Sequence, residues 1–234
     1  MHHWHTNLTA ALAEAQRSNR PILSLRLLGR LDEEMSCANS RFFRRMLYPE
    51  PRIARLLRER FVLHWQSVRA VPIVTIDFGN GKTLTKPITG NSVHLVLDAR
   101  GVPVDALPGL VSPDVFVQQL ETAAGLAQLD LLQRCAQHAR LATMPLPPAS
   151  PSRAVAASRL AATKHVVEAP LLRAIVPPSI AEDTAVNLGL HARIHEELAR
   201  GTWSIAALVD WIYRDLFLMP PDDPMLGLDV KDAV

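Results

Sequence analysis

Cys37 opens the run Cys37-Ala38-Asn39-Ser40-Arg41, and of all the side chains in the sequence it has the clearest potential for covalent chemistry. It follows an apolar stretch over residues 21–28 and stands where a helix can begin. Unpaired N–H groups at a helix start favour a thiolate, so the position predicts a pKa below that of a free thiol. Cys37 would be the nucleophile, Asn39 and Ser40 its hydrogen-bonding supports, and Arg41 an electrostatic aid. The spacing is Cys-x-x-Ser, so a mixed disulfide formed at Cys37 has no second thiol to resolve it. A monothiol of this kind would trap partners or rely on an external thiol, which makes protein or small-molecule thiols the expected partners. The competing reading of Cys37 is a small buried hydrophobe.

Other residues could ligate a metal. His191 and His195 stand four apart on an expected helix, which puts two imidazoles on one face, but no Glu follows the first as in a zinc protease. They read as surface histidines. Cys135 and His138, three apart, read as packing residues. Cys37 with His94 would suit a soft ion such as Cu(I), yet two ligands fall short of a closed site. Strand alternation sends His94 to the face opposite Val93. His2, His3 and His5 at the N-terminus are not read as a metal site. No metal ligand and no cofactor is therefore expected. Gly79-Asn80-Gly81-Lys82-Thr83 lacks the spacing of a phosphate loop and reads as a hairpin turn. His64-Trp65-Gln66-Ser67-Val68-Arg69 could line a pocket or cap a sheet edge.

The elements that must position these residues follow from periodicity. Residues 7–18 carry Leu8, Ala11, Leu12 and Ala15 on one helical face. Residues 22–28 form a strand, 29–36 a polar loop and 40–47 a helix. Pro51 opens another helix with Ile53, Leu56 and Leu57 inward. Residues 61–65 form a strand, 71–88 a hairpin, 93–97 a strand, and 102–107 its antiparallel neighbour across a tight turn. Ser112-Pro113 starts a helix to about Ala142, with Gly125 as the place for a break. Four prolines in residues 144–151 make a stiff linker. Beyond it residues 154–168, 181–200 and 202–218 read as helices.

This order predicts an α/β fold with a mixed sheet flanked by helices and a helical C-terminal extension. The expected domains are residues 1–143, a linker at 144–151, and a helical region at 152–234. Lys and Arg total 25 against 23 Asp and Glu, a balance that argues against nucleic acid as partner. The arginine-rich stretch 41–60 reads as solvated helix faces. No apolar run reaches membrane-spanning length, no secretory signal pattern precedes the first helix, and two cysteines make no disulfide scaffold. No membrane partner and a cytoplasmic location are the expectations.

Residues 7–128 resemble the thioredoxin-like superfamily. The resemblance rests on an Ala-x-x-x-Ala helix from Ala10 ended by Pro21 and on Tyr48-Pro49-Glu50-Pro51 after the thiol motif. It rests further on the Phe61-Val62 strand start, the strand from Val93 to the turn at Gly101, and Pro108-Gly109. It implies Cys37 at the family's first cysteine and Ser40 at its second. It also places Val93 where the family has a cis-proline facing the thiol, and Leu25 near a buried acid of thioredoxin itself. These departures leave two implied functions: a monothiol protein in thiol chemistry or redox sensing, or a binding module that kept the fold and lost the chemistry. A Cu or Zn carrier is a third. Residues 152–234 match nothing in that family.

Overall fold

Ile22–Leu28 (β1) is buried at every residue, on both faces of the strand. That is the position of a central strand covered by helices on each side, and it explains a near-continuous apolar run where a half-exposed strand would alternate. The structure is a computed structural model, and it describes residues 3–33, 36–87, 90–145 and 177–227.

Three further strands complete the main sheet: β2 (Val62–Arg69), β5 (Ser92–Leu97) and β6 (Pro103–Pro108). Their order is β2-β1-β5-β6, with β1 and β2 parallel and the other two pairs antiparallel. The expected hairpin forms as β3 (Ile73–Asp77) and β4 (Thr83–Pro87), paired as a separate two-stranded sheet. Asp77 and Asn80 side chains accept backbone N–H groups of Gly79 and Lys82 in its turn.

One face of the sheet carries α2 (Ala38–Phe42), which continues as a π-helical turn over Phe43–Leu47, then α3 (Pro51–Arg60) and α4 (Pro113–Leu126). Leu23, Leu25, Leu27, Phe43, Leu57, Val96, Phe116 and Leu120 form the core there. The opposite face carries α1 (Leu8–Ser18) and, from beyond the linker, α6 (Pro177–Leu198) and α7 (Ile205–Trp211), which runs on as a π-helical turn over Ile212–Leu216. Ile22, Leu28, Val93, Leu95 and Leu97 pack there against Ala11, Ala15, Ile194, Leu208, Ile212 and Tyr213. The C-terminal helices thus share a core with the sheet.

The helix expected from 112 to about 142, with a break at Gly125, is two, α4 and α5 (Leu131–Ala142). The break lies after Leu126 and not at Gly125, because Asp130 starts a new helix with a capping box: its carboxylate accepts the Gln133 N–H, and the Gln133 side chain accepts the Asp130 N–H. Residues 146–151 of the expected linker and the helix expected at 154–168 lie outside the described residues. Ser204 caps α7, two residues later than the expected start at Thr202.

Candidate functional site

The thiol turn comes together in part as expected. Cys37 is the N-cap residue of α2. The backbone N–H groups of Asn39 and Ser40 and the charge of Arg41 all pull toward thiolate. Burial wins against them: the residue is 1 % exposed and its pKa is pushed up to about 11. The expected lowered pKa is therefore reversed, since a helix start helps a thiolate only where solvent or a cation also reaches it.

The supports serve other purposes. Asn39 Nδ2 donates to Asn91 Oδ1 at 3.0 Å and to Ser92 Oγ at 3.3 Å, tying α2 to the entry of β5. Ser40 is buried and its hydroxyl has no hydrogen-bond partner. Arg41 lies half-buried in α2. The chain that faces the thiol is at Gly90 and not Val93. A Cβ on Gly90 would overlap Cys37 Cβ, so only glycine allows this approach. Val93 instead lies in the core under the C-terminal helices. The Tyr213 hydroxyl donates to the Asn91 carbonyl at 2.9 Å, which pins the C-terminal π-turn to the segment covering the thiol.

His94 faces away from that segment, as the alternation of β5 requires. It packs against Phe43 and Phe116 and shares a 2.8 Å hydrogen bond with the Tyr48 hydroxyl. Burial lowers its pKa to about 3, so it is a neutral core imidazole. The position next to Leu25 holds Arg26, buried, with a pKa lowered to about 10 by burial and with Gln66 Oε1 accepting from its guanidinium. His64 shares a 2.8 Å hydrogen bond with Ser24 and is held neutral by burial, its pKa lowered to about 4. The strand end at 64–69 is thus buried at His64 and Trp65 and open beyond them. A groove of about 760 Å³ lies elsewhere, between the N-terminal segment and α3, floored by Trp4, Tyr48 and Phe61.

The largest departure from expectation is at His191 and His195. They are not surface histidines: they are 6 % and 5 % exposed and meet Asp105 of β6, which is wholly buried. His191 Nε2 lies 2.9 Å from Asp105 Oδ1, and His195 Nδ1 lies 3.8 Å from the same oxygen. His138 of α5 joins them, its Nδ1 2.9 Å from His195 Nδ1 and its Nε2 donating to the Val104 carbonyl at 2.9 Å. Gln119 Nε2 of α4 is 3.0 Å from His191 Nδ1. Burial disfavours the Asp105 charge, but His191, His195 and His138 outweigh it and hold the carboxyl below the usual carboxylate range. Burial pushes His195 down to about 3 and lowers His138 too, against the pull of Asp105.

This cluster joins β6, α4, α5 and α6. The i, i+4 spacing of His191 and His195 was the one signal in the sequence. Asp105 stands in an apolar strand, and nothing local marks it as the meeting point. The approach of α6 depends on Gly109, whose φ of 62° is left-handed and where a Cβ would overlap the Asn187 side chain. Asn187 Nδ2 then donates to the Leu110 carbonyl, and the Ser112 N–H donates to Thr184 Oγ1. Cys37 and His94 belong to no group of three metal-ligating side chains among the described residues, whereas Asp105, His191 and His195 form one. No helix among the described residues is long and apolar enough to cross a membrane. A scan against protein-family models gives no match to the sequence, and a search of curated proteins gives none either.

Proposed function

We propose that this chain is a thioredoxin-fold binding module that carries a silent thiol in place of a working redox centre. One observation carries the reading: Cys37, the sole sulfur at the motif position, is 1 % exposed with a pKa pushed up to about 11. At neutral pH such a thiol is overwhelmingly protonated, and a protonated, covered sulfur is a poor nucleophile. The sheet order and strand directions given above support the fold part of the reading, together with the resemblance in residues 7–128.

A second reading, monothiol exchange or redox sensing through Cys37, is favoured by the N–H groups of Asn39 and Ser40 directed at the sulfur. It requires the segment at Gly90 and Asn91 to lift. Alkylation of the native chain in a Cys135→Ala background separates the two. The binding-module reading expects labelling slower than that of the urea-unfolded chain by a factor of at least about 100. Fast native labelling, with a mixed disulfide to glutathione, would establish the monothiol reading and remove the first.

A further inference from the structure

We infer that Asp105, His191 and His195 form a buried site for one divalent metal ion of the zinc class, with His138 hydrogen-bonded beside them to His195. A tetrahedral zinc ion with bonds of about 2.0–2.1 Å holds its ligand atoms about 3.3 Å apart. The Asp105–His191 and Asp105–His195 separations of 2.9 and 3.8 Å bracket that value. One ligating atom from each of the three residues lies within 4.8 Å of the others.

Several features point the same way. Asp105 Oδ2 is buried with no hydrogen-bond partner, although Oδ1 accepts the Ala106 N–H. A wholly buried carboxylate needs a compensating positive charge, and the ion-pair partners of Asp105 are the imidazoles. The Nδ1 atoms of His138 and His195 face each other at 2.9 Å; with His138 Nε2–H on the Val104 carbonyl, His138 Nδ1 is the acceptor of an N–H···N bond from His195, a proton that a metal ion at His195 Nδ1 would replace. The outer contact of His191 is that of a metal-bound histidine: its Nδ1 sits against the Gln119 amide. Gln119 Oε1 is buried and unpartnered. Rotating that amide by half a turn lets Oε1 accept from His191 Nδ1–H, which is the tautomer that frees Nε2 for a metal.

The donor set selects the ion. Nitrogen-rich ligands with one carboxylate suit zinc, whereas calcium and magnesium demand oxygen and Cu(I) prefers thiolate. An iron site built from two histidines and a carboxylate keeps positions open for substrate, whereas here all three ligands are buried beneath the surrounding helices. The ion would bind α6 to β6, and so fasten the C-terminal helices to the sheet.

The test is cobalt and zinc titration of the full chain after chelator treatment, followed by visible absorption and thermal unfolding. One equivalent of Co2+ should give d–d absorption without a sulfur-to-metal charge-transfer band, and Zn2+ should displace it and raise Tm. A stripped chain that unfolds and refolds only with Zn2+ supports the site equally. Gln119→Leu leaves every ligand in place and should weaken binding about 10- to 100-fold. Asp105→Asn should weaken it further, and His3→Ala with His5→Ala should leave it unchanged. A folded, stripped chain that takes up no Co2+ and whose Tm ignores Zn2+ would overturn the proposal. So would a thiolate charge-transfer band, or binding that survives Asp105→Asn and vanishes with His3 and His5.

Discussion

At Cys37 the N–H groups of Asn39 and Ser40 and the charge of Arg41 pull the thiol toward ionisation, and burial pulls harder the other way. The consequence is a pH dependence with a definite sign. The folded thiol titrates at about 11 and the unfolded one near its ordinary 9.0, so between those values the folded state holds more protons. Stability is therefore full below about pH 9 and falls as pH rises toward about 11, by roughly 3 kcal/mol in total for this group. Urea unfolding of wild type and Cys37→Ala at about pH 8 and about pH 11 measures it. The variant should lose less stability over that interval. An equal loss in both would mean that other groups, such as the buried Tyr48 and Tyr213, supply the whole slope.

Elements place the residues that matter at their ends and contacts. The capping box at Asp130 turns the chain so that α5 brings His138 toward β6, where an unbroken helix would carry it past. The C-terminal π-turn puts Tyr213 against the entry of β5, where its hydroxyl meets the Asn91 and Arg26 carbonyls. Tyr213→Phe removes those hydrogen bonds and keeps the ring. The expected cost is about 1 kcal/mol of stability. Because Asn91 adjoins Gly90 over the thiol, native alkylation of Cys37 should also speed up in this variant. Unchanged alkylation with the same stability loss would show that the cover over Cys37 is held independently of the C-terminal turn.

At the scale of the molecule, both faces of the sheet need helices, and the second face takes most of its cover from residues beyond 176. Ile22, Leu28, Val93, Leu95 and Leu97 pack on Ile194, Leu198, Leu208, Ile212 and Tyr213. A chain ending at residue 145 would expose that face, and exposed apolar patches of this kind drive association. The shortened chain should bind a hydrophobic dye and sediment as aggregates, whereas the full chain should not. A monomeric, cooperatively unfolding 1–145 chain would show that α1 alone suffices to cover the sheet.

Much of the local structure was legible in the sequence because it depends on near neighbours. The periodicity of residues 7–18, the Pro51 start, the Gly79-Asn80-Gly81 turn and the alternation of β5 each reflect backbone or side-chain preferences within a few positions. The α/β class follows from their order. Burial and convergence were not legible, because they depend on contacts across the chain. The Cys37 motif reads as a helix start either way, and only the chain packed over it decides whether the thiol meets water. His191 and His195 read as a pair on one helix face, and only the packing of α6 against β6 gives that face Asp105 and His138, 86 and 57 residues away in sequence from their imidazole partners.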